Sequence, residues 1–343
     1  MNIAVLAGGL SPERDVSLSS GALIASALSR RGHAVRIVDI YEGLEIPDDP
    51  TVLFERGKSY SSPVSDTAPD LDEIRRRFGG RQALIGPGVL ELCAAADVVF
   101  LGLHGAIGEN GQLQATLDCA GIRHYTGTGY TGALLSMDKD LSKQLMSRAG
   151  VPTAEWIYFD TEKGSSQEII SKIGLPCVVK PTSCGSSVGV TLVYNSDGLD
   201  SALAAAQKYE RQLVVERLIK GRELTVGVID GRALPPVEII PKCGFYDYKN
   251  KYQSGMTTEL CPAPLTDSET KKVQELALTT FRALRMEQYG RIDFIYGEDG
   301  VFYCLEANAL PGMTPTSLLP QEAAVGIGYD ELCEMLADMA RKK

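Results

Sequence analysis

Arg291-Ile292-Asp293-Phe294-Ile295-Tyr296-Gly297-Glu298-Asp299-Gly300-Val301-Phe302-Tyr303-Cys304-Leu305-Glu306-Ala307-Asn308 holds two β-rich runs around an Asp-Gly pair, the strongest short hairpin signal. If Asp299-Gly300 is a two-residue turn, Glu298 pairs with Val301, Asp293 faces Glu306 and Arg291 faces Asn308. Side chains alternate along a strand, so these four share one face. Directly opposed carboxylates sit about 4.5–5.5 Å apart at Cβ and repel. Either that face is solvated, or something offsets the charge. A divalent cation with oxygen ligands is the economical candidate.

The chain has 343 residues, enough for two or three packed units. Apolar content of 44% and charged content of 23% are ordinary for a globular protein. A net charge of -10 and a pI near 5.0 argue against a nucleic-acid partner, which needs a basic footprint. No apolar run approaches the roughly 20 residues that cross a bilayer, so no membrane partner is expected. Met1 to Ala7 is too short for a signal peptide, lacks its basic flank, and reads as a first strand. The eight cysteines show no C-x-x-C, and His33, His104 and His124 show no metal spacing. Reduced thiols and a cytoplasmic location are the expectation.

Working outward, residues 3–7 predict a buried strand, 8–15 a loop, Val16 to Arg31 a helix stopped by Gly32, and 35–39 a second strand. Strand, Gly loop, helix, strand opens a doubly wound α/β unit. Residues 42–95 read as an irregular insertion with one helix near 71–78. A buried strand follows at 98–103, then a helix from Gly111 to Cys119. Farther on, the pattern predicts a helix over 139–149 and a strand over 176–180, broken by Pro181. Further strands are predicted near 190–193, 213–216, 223–229 and 237–240, with a polar loop over 243–262 and a helix near 267–285. Short strands with Gly-rich turns suggest an antiparallel sheet carrying helices on one side.

Several segments could carry chemistry. Gly185-Ser186-Ser187-Val188-Gly189 lies between two β-like runs. Its N–H groups and hydroxyls could cradle phosphate oxygens, although it is not a Lys-containing P-loop. Lys180 ends an apolar strand just before it, where an ammonium needs an anion. Lys139 sits at a helix start, an unfavourable place for a cation unless an anion lies nearby. Glu216 to Ile219, with Glu223, offer acceptors and apolar contacts suited to adenine and ribose. Gly8-Gly9 with Asp39 gives only a weak dinucleotide signal. Glu13, at the C-terminal edge of the sheet, suits a substrate ammonium instead. His104-Gly105 ends a buried strand on the same edge. The run Phe245 to Tyr252 has the residue types of a lid over a charged ligand. The loop from Asn308 to Ser317 can aim N–H donors at an oxyanion and Ser317 at a carboxylate.

In this order the segments resemble the D-alanine–D-alanine ligase family of the ATP-grasp superfamily. The most specific are Ser11-Pro12-Glu13-Arg14-Asp15-Val16-Ser17, Leu103-His104-Gly105, Ser136-Met137-Asp138-Lys139, Gly185-Ser186-Ser187-Val188-Gly189, Phe245-Tyr246-Asp247-Tyr248, Gly290-Arg291-Ile292-Asp293, and Leu305-Glu306-Ala307-Asn308 with Pro311-Gly312-Met313-Thr314. The resemblance implies an α/β and α+β fold: a Rossmann-like N-terminal domain (1–127), a central ATP-grasp lobe (128–216) and a C-terminal lobe with metal site and lid (217–343). It implies that Lys139, Lys180, Ser186, Ser187, Glu216, Ile219, Glu223, Phe245 and Lys251 contact ATP. Asp293, Glu306 and Asn308 would hold two Mg²⁺ ions, with Mn²⁺ able to substitute. Glu13 would bind the first D-alanine's ammonium, with His104 nearby, and Ser186 and Tyr252 would join Glu13 in closing the lid. Arg291 and Gly312 would stabilise the tetrahedral intermediate, while Ser317 and Leu318 would hold the second substrate's carboxylate.

The implied reaction ligates two D-alanines through an acyl phosphate for peptidoglycan precursors, in a cytoplasmic homodimer. Asn110, Ala309-Leu310 and Thr316 depart from the usual pattern and bear on the acceptor. Tyr252 in place of Phe disfavours D-lactate, while D-serine stays open. A nucleotide-binding protein of this fold without catalysis and a NAD-dependent oxidoreductase are the competing classes.

Overall fold

The computed structural model describes residues 1–64, 69–185, 187–242 and 257–343. The described residues form three sheets. The first has the order β2-β1-β3, from β1 (Asn2–Ala7), β2 (Ala34–Asp39) and β3 (Val98–Leu101), all parallel. Every residue from Ile3 to Ala7 is fully buried, as a central parallel strand covered on both faces requires. Helix α1 (Arg14–Arg30) crosses from β1 to β2 and is rich in Ser and Ala. Its Gly21 lies so close to the sheet that a Cβ there would come within 2.6 Å of the Ala7 methyl.

The insertion is more ordered than its composition predicts. It carries α2 (Leu71–Arg77), capped by the Asp70 carboxylate, and a further helix, α3 (Val89–Ala94). Val89, Leu92 and Cys93 join the first core. Helix α4 (Gln112–Cys119) then leads to α5 (Tyr130–Met137) and α6 (Lys139–Arg148). Asp138 ends α5 and caps α6, accepting from the N–H groups of Asp140 and Leu141.

The second sheet is antiparallel, in the order β4-β7-β5-β6. It comprises β4 (Trp156–Asp160), β5 (Cys177–Pro181), β6 (Thr191–Val193) and β7 (Gln212–Arg217). Helices α7 (Ser166–Lys172) and α8 (Leu199–Gln207) pack on it. Pro181 is the last residue of β5, paired with Leu213, not a break before it. At a strand end its missing N–H interrupts no further ladder.

The third sheet runs β11-β10-β8-β12-β13, with β9 beside β8. Its strands are β8 (Gly221–Ile229), β9 (Arg232–Ala233), β10 (Val237–Pro241), β11 (Thr257–Leu260), β12 (Tyr289–Gly297) and β13 (Phe302–Asn308). β11 corrects the expected polar loop over 243–262. Its alternately half-buried and exposed residues suit the sheet edge it occupies. Helix α9 (Asp267–Ala283) begins with a Thr266/Glu269 capping box. The chain ends with α10 (Leu318–Ala323) and α11 (Tyr329–Arg341). Leu332, Cys333, Leu336, Ala337 and Ala340 of α11 lie in the first sheet's core. Arg30 of α1 forks onto Asp330 at 2.7 and 2.6 Å. That core therefore draws on both ends of the sequence.

The 291–308 hairpin keeps the expected pairs Arg291↔Asn308 and Asp293↔Glu306 by a different route. The turn is not two residues long. Gly297 N–H donates to Val301 O, which leaves Glu298, Asp299 and Gly300 as the loop. Gly300 has φ +78, as the third position of such a loop requires. Near the turn the pairs therefore run one residue out of the expected register, with Tyr296 opposite Phe302. A register shift between Asp293 and Phe294 restores the count. A bulge here re-aims the strand end that carries Glu306 and Asn308.

Candidate active site

Two cavities meet at Lys139 and Glu306, which line both. The first, of about 350 Å³, lies between the first and third sheets. Its wall includes Glu13, His104, Glu109, Arg291, Asn308, Gly312, Ser317 and Leu318. The second, of about 610 Å³, lies between the second and third sheets. It is lined by Lys180, Ser187, Glu216, Ile219, Glu223 and Asp293, among others. Ser186, Phe245, Lys251 and Tyr252 lie outside the described residues.

Glu13 precedes α1, and its side chain makes no capping bond to that helix. Its backbone N–H donates to Ser11 Oγ, which in turn donates to His104 O. Asp39, the one hint of a ribose-binding acid, has a structural task instead. It pairs with Arg14 at 2.6 Å and accepts from the N–H groups of Tyr41 and Glu42. His104 is 8% exposed, and its Nε2 has no hydrogen-bond partner among the described residues. Burial lowers its pKa, opposed by Glu13, so the ring is neutral near pH 7.

Glu109 escaped the sequence reading, which used this loop only for Asn110. It accepts the Gly105 N–H at 2.7 Å in the first cavity's wall. Burial pushes its carboxyl up to about 7, and Glu13 adds to the rise. A carboxyl raised above its unfolded value contributes stability that is full below the ordinary 4.5 and lost as pH rises through about 7. Glu109→Gln should remove that pH dependence. Thermal unfolding of both proteins from pH 4.5 to 8 checks it. The wild type should lose stability relative to the variant at up to about 1.4 kcal/mol per pH unit, and parallel curves would refute the assignment.

Asn110 keeps the job an aspartate would do: its side-chain oxygen accepts the Gln112 N–H. It lines neither cavity. Ala309, Leu310 and Thr316 do line the first cavity. So do two residues not anticipated, Val64 of the insertion and Glu259 of β11. Gln321 ties Glu259 to Thr316 O, at 2.5 and 2.7 Å. A Cβ at Gly312 would fall 2.8 Å from Ser317 Oγ and 3.3 Å from its Cβ, so a larger residue there would displace the Ser317 side chain. Ser317 Oγ lies 2.8 Å from Thr314 Oγ1.

The carboxylates of the hairpin have partners within the chain. Arg291 forks onto Asp293, with both contacts at 2.9 Å. Thr225 Oγ1 and Asn308 Nδ2 donate to the same carboxylate at 2.6 and 3.0 Å. Lys139 Nζ lies 3.8 Å from Glu306 and donates to Cys184 O at 2.7 Å. Among the described residues no three His, Cys, Asp or Glu side chains are grouped as a metal site. Asp293, Glu306 and Asn308 instead offer two carboxylates and an amide where the cavities join. These are hard oxygen donors of the kind magnesium takes together with substrate phosphates.

The anion that Lys180 meets belongs to the protein. Its ammonium pairs with Glu216, and Lys143 of α6 pairs with the other Glu216 oxygen at 2.7 Å. Burial pushes Glu216 up, but the two ammoniums outweigh it and hold the carboxyl at about 2. Lys143 was another omission, although its place four residues after Lys139 puts it on the same helix face. Ser187 has φ +58 and Gly189 φ +72, so the serine loop turns sharply at the cavity mouth.

Residues 2–128 match the family model for the D-ala D-ala ligase N-terminus, and residues 145–338 match that for the D-ala D-ala ligase C-terminus. The chain is 42% identical over 344 residues to the D-alanine–D-alanine ligase of Pediococcus pentosaceus, covering 98% of this chain and 96% of that one. It is 40% identical over 337 residues to that of Lacticaseibacillus casei, covering 97% and 93%. A crystal structure of the Bacillus anthracis D-alanine–D-alanine ligase complexed with ATP has a TM-score of 0.77 at 30% identity, covering 100% and 98%. A D-Ala:D-Ser ligase from Enterococcus faecalis has a TM-score of 0.78 at 26% identity, covering 99% of each chain. Since both halves match one family and relatives at about 40% identity span nearly all of it, the chain belongs to the D-alanine–D-alanine ligases, ATP-dependent enzymes that join D-alanine to D-alanine.

Proposed function

We propose that the two cavities divide the ligation between them, ATP in the second and the amino acids in the first. The junction at Lys139 and Glu306 carries this reading, because the γ-phosphate and the accepting carboxylate must meet there. A carboxylate is a poor electrophile. Transfer of the γ-phosphoryl group to the first D-alanine gives an acyl phosphate and ADP. The second D-alanine's amine then attacks that carbon and phosphate leaves. The product, D-alanyl-D-alanine, serves peptidoglycan synthesis.

Glu13, with His104 and Glu109 beside it, holds the first ammonium. Lys139, Lys180 and Ser187 bind phosphate oxygens, while Glu216, Ile219 and Glu223 receive adenine and ribose. Arg291 and the Gly312 N–H face the oxyanion, and Ser317 with Leu318 holds the second carboxylate. Ser186, Phe245, Lys251 and Tyr252 keep the lid and phosphate roles that the family resemblance implies. Asp293, Glu306 and Asn308 would hold two Mg²⁺ ions, or Mn²⁺, which when bound offset charge on the transferring phosphoryl group. The remaining catalytic contribution is positioning.

The division at 1–127, 128–216 and 217–343 is retained as a functional one, with α11 docked back on the first sheet. A cytoplasmic location follows from the use of ATP, and a homodimer from the family's habit. Among the described residues no helix is long and apolar enough to cross a membrane. D-serine as acceptor is a second reading, favoured by the polar wall of Thr314, Thr316, Ser317 and Glu259. ADP release with D-alanine alone, and with D-serine added, tests both. Release with D-alanine alone, and dipeptide by mass spectrometry, is the expected result. Release only when D-serine is present would reverse the order, and no release with either would reject ligation.

A further inference from the structure

Behind the second cavity lies a buried charge cluster with one member that no step of the ligation uses. Lys139 and Lys143 stand one turn apart on α6. Lys139 lines both cavities, whereas Lys143 lines neither, and its side chain is 1% exposed. Its ammonium lies 2.7 Å from Glu216 Oε2 and donates to Thr153 Oγ1 at 2.6 Å and to Ala154 O at 3.3 Å. It also lies 5.4 Å from the centroid of Trp156, the chain's single tryptophan. Glu216 sits opposite Val178 in the β5–β7 ladder, so Lys180, two residues along β5, shares its face. Lys180 holds the other Glu216 oxygen, but its side chain is 13% exposed and lines the cavity.

One buried carboxylate thus has two ammoniums, one facing the ligand space and one turned away from it. A buried carboxylate left without a cation is strongly unfavourable. A phosphate entering the cavity competes with Glu216 for Lys180. If Lys180 were the sole counter-ion, that exchange would strand Glu216. With Lys143 behind it, the carboxylate stays compensated wherever Lys180 turns. We propose that Lys143 is a positioning residue for nucleotide binding: it holds Glu216 from the protein side so that Lys180 can pass its ammonium from that carboxylate to a phosphate oxygen. This rests on the reading of the second cavity as the ATP site.

The test is the ratio of ADP to adenosine affinity, by isothermal titration calorimetry on the full chain. Lys143→Gln keeps a donor at Glu216 but removes the charge, and Lys143→Met removes both. In either folded variant the ratio should fall about 10-fold or more, the worth of a charged hydrogen bond. Lys180→Met should lower the ratio too, and adding Lys143→Gln to it should lower it no further. An unchanged ratio in a folded Lys143 variant overturns the inference, as does failure of both to fold. If Lys180→Met alone leaves the ratio unchanged, the assignment of the cavity to ATP phosphates fails and the inference falls with it.

Discussion

Glu306→Gln is expected to lower turnover about 100- to 1000-fold or more, the scale of losing one preorganised group at a developing charge, and to leave the fold intact. Among the described residues Glu306 is the one carboxylate that lines both cavities. Glutamine keeps its volume and one oxygen but removes the charge that a divalent cation and Lys139 would share. The structural cost is small because the Lys139 contact, at 3.8 Å, is long and Glu306 is 28% exposed. Substitutions of that kind change stability by about 0.5 kcal/mol or less. ADP release with D-alanine reads the first quantity and thermal unfolding the second. Wild-type turnover in this variant would remove Glu306 from the phosphoryl-transfer site.

Arg291→Met is expected to cost both activity and stability. Asp293 is 6% exposed, and Arg291 meets it with both arms of its guanidinium. Taking one partner from a buried ion pair costs about 3–5 kcal/mol, because the other charge stays buried. Turnover should fall as well, since Arg291 lines the first cavity, where the proposed reaction places the oxyanion. The double variant Arg291→Met/Asp293→Asn separates the two losses. Removing the stranded charge should restore most of the stability and none of the turnover. Denaturant midpoints for the two single variants and the double variant make the cycle. If Arg291→Met unfolds at the wild-type midpoint, the fork is not what compensates Asp293.

The two effects differ because the hairpin places its acids in unlike surroundings. Asp293 lies on a central strand, flanked by β8 and β13, and is met by Arg291, Thr225 and Asn308. Glu306 lies on β13, at the end of the strand order, just beyond the register shift, where the wall opens into both cavities.

Much of this was legible from local pattern. The apolar run at Ile3 to Ala7, the helix start at Lys139 and the hairpin around Asp299-Gly300 each give a local signal that the fold obeys. Pairing of Asp293 with Glu306 was read correctly through two compensating errors. The loop holds three residues instead of two, and a bulge absorbs the difference. A bulge carries no composition signal of its own, so counting along the strands could not find it. Helix α3 escaped because six residues are too few to show a period, and β11 because its residues alternate weakly.

The sequence by itself determined which residue types stand at the ends of which strands, and hence the family, because turn chemistry, caps and hydrophobic period act over a few residues. Only the tertiary structure decided which charges meet. Lys143 and Glu216 are brought together from 73 positions apart, and Glu109 is pushed toward a neutral form by burial and by the carboxylates of Glu13 and Glu306, which come from two other segments. Electrostatic energy depends on distance and burial in space, and neither quantity is written in the order of residues along a chain.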